Sequence, residues 1–115
     1  MEPRASPGER RRYERVDFFC RLEVMSYPQG TRVEAHSLDL SLGGMRLITG
    51  NRLTVGQAIE VCFLLRERSS DVRERAFGKV VRVESDVGGQ VTGVEFLDPL
   101  REQSHPRLIR ELLRR

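Results

Sequence analysis

Between Val16 and Leu97 apolar and polar residues alternate in short runs, and turn residues close each run. A period of two buries one face of a strand and leaves the other in water, so this stretch points to antiparallel β-structure. The first run sets Phe18, Cys20, Leu22 and Val24 against Asp17, Phe19, Arg21 and Glu23. Pro28-Gln29-Gly30 breaks it. A second strand is expected over Thr31 to Leu40, and a third, short one over Met45 to Thr49. Turns follow at Gly50-Asn51 and Gly56. The fourth strand, Ala58 to Arg66, carries Ile59, Val61, Phe63 and Leu65 on one face. After a polar turn at Ser69-Ser70-Asp71 comes a long fifth strand, Arg73 to Glu84, where Gly78 suggests a bulge or bend. Asp86-Val87-Gly88-Gly89 reads as a hairpin turn, and Val91 to Leu97 as the last strand. Phe18, Phe63, Phe77 and Phe96 fall at core positions of this pattern, whereas Tyr13, Phe19 and Tyr27 can be exposed. Six such strands in series predict a closed or nearly closed antiparallel barrel, a mainly all-β fold.

The tail changes period. Leu108, Ile109, Leu112 and Leu113 recur at helical spacing, with Arg107, Arg110, Glu111 and Arg114 opposite. Residues 99–114 are therefore assigned to a C-terminal helix, and Ser104 ahead of Pro106 is a suitable start. Such a helix either covers one end of its own barrel or forms a dimer contact. The chain of 115 residues suits one domain with one core. The expected divisions are a disordered polar lead over 1–9, an arginine segment over 10–15, the barrel over 16–97 and the helix.

Composition narrows the function. The formal net charge is only +3, but Lys79 is the only lysine, so nearly all the basic charge is guanidinium. Guanidinium grips phosphate with two parallel donors and stacks on flat rings. A GC-rich genome would give the same overall bias, though not the clustering of Arg10, Arg11, Arg12 and Arg15. No long apolar stretch is present, so membrane insertion is not expected. Met1 to Glu9 lacks the apolar core of a signal peptide, and a cytoplasmic location is expected. Cys20 and Cys62 stand far apart, without metal-ligand spacing, and are expected to be buried thiols. His36 and His105 are the only histidines, and neither belongs to a nucleophile–base pattern. Gly43-Gly44 and Gly88-Gly89 are too short to cradle a triphosphate. An enzyme is not expected, nor a metal, nor a resident cofactor.

Two motifs carry the functional signal. Arg11-x-x-x-Arg15 precedes the first strand, and Asp39-x-Ser41-x-x-Gly44 lies between the second and third. Each alone has an ordinary reading: a solvated basic tail, and a turn built on side-chain-to-backbone hydrogen bonds. Together, in this order, spacing and strand context, they resemble the PilZ domain family, bacterial receptor modules for cyclic di-GMP. Glu9 to Val16, Leu38 to Met45 and Gly93-Val94-Glu95-Phe96 extend the resemblance, which runs from about Glu9 to the C-terminal helix.

The resemblance implies a six-stranded antiparallel barrel with a C-terminal helix. It implies that Arg11 and Arg15, with Arg10 beside them, contact the phosphates and guanine edges of cyclic di-GMP. Asp39 would accept from guanine N–H donors, Ser41 would bond the ligand nearby, and Gly44 would allow close backbone approach in a conformation closed to side chains. Members often add a fifth-strand side chain that packs on a guanine; Arg82 is the candidate, and a one-residue slip would substitute Val81 or Val83. Ligand binding would order the segment up to Arg15 and so alter contact with a downstream protein. The expected state is a monomer or weak dimer. A nucleic-acid-binding barrel is disfavoured, because the aromatics sit at core positions and the basic residues gather at the N-terminus. A ligand-free adaptor of the same fold is the other alternative, but such a chain is expected to lose one of the two motifs.

Overall fold

The structure is a computed structural model and describes residues 14–50 and 52–114. The lead at 1–9 and the arginines at 10–12 lie outside the described residues. The strands are β1 (Val16–Asp17), β2 (Arg21–Tyr27), β3 (Thr31–Leu40), β4 (Gly44–Thr49), β5 (Ala58–Glu67), β6 (Ser70–Asp86) and β7 (Gly89–Phe96). Among the described residues one helix, α1, spans Pro106–Leu113. Every pairing is antiparallel, in the order β1-β3-β2-β5-β6-β7-β4, and a β3–β4 pairing closes the ring. The six long strands form the expected barrel, and β1 continues the track of β2 along β3.

The first predicted run is not one strand. Val16↔Leu40 and Asp17↔Asp39 pair in one register, and Arg21↔His36 resumes one residue out of step. Phe18-Phe19-Cys20 therefore opposes only Leu38 and Ser37, the two-against-one excess of a bulge. Ser37 secures it: its Oγ donates to the Phe18 carbonyl at 2.6 Å and its N–H to the Cys20 carbonyl at 2.9 Å. Phe18 and Cys20 turn inward, while Phe19 is 73% exposed and stacks on His36 at 5.0 Å. Among the described residues both cysteines are free and buried.

β3 carries a bulge too. Ser37↔Leu47 and Asp39↔Arg46 differ by one residue in register, leaving Leu38 unpaired with β4. Before it Ala35 and Ser37 point inward; after it Leu40 does. The bulge exchanges the parity of the strand, which turns Asp39 out of the core that its alternation would otherwise have put it in.

A third bulge falls on β6. Val80↔Val94 and Arg82↔Gly93 are out of step, so the extra residue is Val81, not Gly78 as expected. Gly78 has another cause: a Cβ there would stand 2.8 Å from the Glu95 carbonyl oxygen and 2.7 Å from Val94 Cγ1. Inward positions of β6 thus hold Glu74, Ala76, Gly78 and Val80, and Phe77 faces outward, 51% exposed, against the core position expected for it. The core is built on Phe63, Leu22, Leu40, Met45, Leu47, Ile59 and Leu108, all nearly inaccessible, with Phe18 and Phe96 as expected.

α1 begins at Pro106, later than the expected span, and residue 99 lies outside it. His105 holds the N-cap position with no side-chain cap, in place of the expected Ser104. The cap comes from β6 instead. Glu74 accepts from the Arg107 N–H at 2.9 Å and the Leu108 N–H at 3.1 Å, which satisfies two donors that a helix start leaves open. The negative carboxylate also meets the positive end of the helix dipole. Leu108 is fully buried, and Ile109 and Leu112 pack on the core, so the helix covers its own barrel. Leu113 is 78% exposed and takes no part in that cover.

Candidate functional site

Asp39 is the centre of the site. The β3 bulge aims it at β4, where the pairing sets it opposite Arg46. Its Oδ1 accepts the Arg46 main-chain N–H at 2.9 Å and Arg15 Nη1 at 3.1 Å; its Oδ2 accepts Arg46 Nε at 2.7 Å. The Asp39 side chain is 7% exposed, whereas both arginines are about half-exposed, at 52% and 50%. The carboxylate is thus buried beneath two guanidinium groups that still reach solvent. The hydrogen bond to Asp39, and then its charge, raise the Arg46 guanidinium above its ordinary range.

Register extends the site across the barrel wall. Asp39 pairs with Arg46, Arg46 with Gly93, and Gly93 with Arg82. Four strands therefore contribute one transverse row whose side chains are carboxylate, guanidinium, none and guanidinium. Gly93 leaves the middle open. A hollow of about 400 Å³ lies over the row, and Arg15, Asp39, Arg46, Val81, Arg82 and Glu84 line it with parts of β7. Three arginines against two carboxylates make it net positive. It can take an anion, and its flat Gly93 floor between guanidinium groups can take a planar ring.

The motif residues divide. Arg15, Asp39 and Arg82 meet in this hollow. Arg10 and Arg11 lie outside the described residues. Ser41 is buried, and its bonds stay within the turn: Oγ accepts from the Gly43 and Gly44 N–H groups at 3.3 and 3.2 Å, and the Ser41 N–H meets the Gly44 carbonyl at 2.9 Å. Gly44 faces β7. A Cβ there would stand 2.3 Å from the Val94 carbonyl oxygen. Its backbone is also not in the left-handed region, which among the described glycines holds Gly30, Gly56 and Gly89. The close approach that needs a glycine at 44 is therefore that of a neighbouring strand.

Two residues of the row were not anticipated. Arg46 stands between the apolar Met45 and Leu47, and that alternation alone could have marked it as outward and next to the motif. Gly93 gave no such signal, because only register shows what it lies between. A larger hollow, about 600 Å³, lies beside Phe19, Cys20 and Glu111 and includes neither motif. Among the described residues no group of His, Cys, Asp and Glu could hold a metal ion, and no helix is long and apolar enough to cross a membrane.

Solved structures share this architecture. The Bacillus subtilis inhibitor of motility (MotI/DgrA) superposes with a TM-score of 0.71 at 15% identity, over 99% of this chain and 51% of that one. The PilZ domain of YcgR from Escherichia coli, solved with c-di-GMP, gives 0.68 at 15% identity, over 91% and 90%. The PilZ domain of CeSA from a cellulose-synthesizing bacterium gives 0.58 at 17% identity, over 87% and 95%. This chain thus spans about half the length of the motility inhibitor. A comparison with curated proteins gives no match. The PilZ domain family model matches residues 9–115. PilZ domains are ligand-binding receptor modules, not enzymes. The barrel, its helix and that match across nearly the whole length lead to one conclusion: the chain belongs to the PilZ domain family.

Proposed function

We propose that this protein is a cyclic di-GMP receptor that binds its ligand over the Asp39–Arg46–Gly93–Arg82 row. The observation that carries the reading is the outward-aimed Asp39 carboxylate beside Arg15, in a net positive hollow. Guanine offers N–H donors to a carboxylate, and O6 and N7 acceptors to a guanidinium. Asp39 takes the donors. Arg15, with Arg10 and Arg11 from the preceding segment, takes the phosphates. Arg82 packs on a base. Ser41 and Gly44 serve the same site indirectly, by shaping the turn that follows Asp39. A few charge-assisted bonds, less the cost of ordering, correspond to a micromolar dissociation constant, about −8 kcal/mol.

The signal is the arginine segment itself. Ligand phosphates fix residues Arg10 to Arg15 against the barrel, and the surface so formed changes contact with a downstream protein. Amide exchange in Arg10 to Arg15 slows when ligand is added; unchanged exchange there removes the switch from the mechanism.

Calorimetric titration with cyclic di-GMP tests the binding reading. Saturable micromolar binding, weakened tenfold or more by Arg15→Ala and by Asp39→Ala (about 1.4 kcal/mol), is the expected result. No binding by calorimetry or by an optical method would refute it and leave an adaptor that works through protein contacts.

A further inference from the structure

Asp39 is more crowded than a carboxylate awaiting a base should be. A carboxylate has about four acceptor positions, two on each oxygen. Three are already taken: two on Oδ1, by Arg15 Nη1 and the Arg46 main-chain N–H, and one on Oδ2, by Arg46 Nε. A guanine edge presents two parallel donors, N1–H and the 2-amino group, one for each oxygen. Five donors do not fit four positions, and the full oxygen is Oδ1. One of its two donors must leave.

The two are not equally free to go. The Arg46 N–H belongs to a main chain held between β3 and β7. Arg15 stands ahead of β1, its side chain half-exposed and able to rehydrate. Arg46, in contrast, grips both oxygens at once, through N on Oδ1 and Nε on Oδ2, which fixes the plane of the carboxylate. We propose that Arg46 is the positioning residue that holds Asp39 for a two-pronged guanine edge, and that docking exchanges Arg15 for the ligand on Asp39 Oδ1. The freed Arg15 guanidinium is then available to a phosphate. This deepens the cyclic di-GMP reading and rests on it.

The inosine analogue of cyclic di-GMP separates the two ideas, because it lacks the 2-amino group and brings a single donor. With three positions taken, it docks without displacing Arg15. Arg46→Met removes the Nε donor and keeps the main-chain N–H. It is expected to weaken cyclic di-GMP about tenfold, the worth of one charge-assisted hydrogen bond. It should weaken the inosine analogue by about threefold or less, so the preference for guanine falls. Arg46→Lys should not restore that preference, because an ammonium cannot supply the in-plane Nε donor. A structure of the cyclic di-GMP complex should keep the Arg46 Nε–Oδ2 bond and lose the Arg15–Oδ1 bond.

Equal loss for both ligands would make Arg46 a general charge for phosphate and overturn the proposal. So would a complex in which Arg46 leaves Asp39 or Arg15 stays on it. Absence of binding by the unaltered protein to either ligand would remove the receptor reading first, and this exchange with it. Circular dichroism of Arg46→Met confirms that the barrel is intact before either constant is read.

Discussion

Gly44→Ala separates a ligand-binding glycine from a strand-packing one. The added Cβ would lie 2.3 Å from the Val94 carbonyl oxygen and 3.5 Å from Glu95 Cα. A carbon–oxygen contact needs about 3.3 Å, so β4 and β7 must part by about 1 Å at this point. Both partners are backbone, and neither can rotate away. Gly44↔Glu95 is the terminal rung of the β4–β7 ladder. The simplest relief is to open that rung, at the cost of overpacking plus a lost hydrogen bond, together about 2–4 kcal/mol. In a domain of this size each kcal/mol lowers Tm by roughly 3–6 °C, which predicts a fall of about 6–24 °C. Thermal unfolding followed by far-ultraviolet circular dichroism reads it directly. A variant that melts like the parent yet no longer binds cyclic di-GMP would refute this reasoning and return Gly44 to the ligand.

Other expectations follow from the same geometry. Glu74→Ala strips two main-chain N–H groups of their acceptor at the start of α1; it should cost about 2–4 kcal/mol and speed amide exchange through Pro106–Leu113, and unchanged exchange there would mean that apolar contacts alone hold the helix. Burial pushes the Cys20 thiol up from 9.0 to about 11, so the folded protein keeps its proton where the unfolded chain has lost it. Stability from this group is complete below pH 9 and falls as pH rises toward 11; urea titrations at pH 8 and pH 10.5 should show the drop, and Cys20→Ala should flatten it. Phe63→Ala, at a fully buried site, should cost about 3–5 kcal/mol, whereas Phe77→Ala, on the outer face, should cost about 1 kcal/mol or less; comparable losses would return Phe77 to the core.

What the sequence determined by itself was the period of two, the turns that punctuate it and the helical period of the tail. These follow from local chemistry: which side chains avoid water, and which backbones tolerate a turn. They place Phe18, Leu22, Val61, Phe63 and Phe96 in the core, and Leu108 and Leu112 on one apolar face of a helix, whose cover of the barrel only the structure shows. The two motifs were legible for the same reason, since each is short and local. The tertiary structure alone decided the rest. Three bulges shift register by one residue, and a shift of one reverses which face a side chain occupies. That is why Asp39 points outward into a site and why Arg82, not Val81, pairs with Gly93. Gly44 and Gly78 answer to strands distant in sequence, and the cap of α1 comes from Glu74, more than thirty residues before it. Arg46 shows the boundary most clearly. Its outward face is a local fact, but its grip on both oxygens of Asp39 exists only because β3 and β4 close the ring.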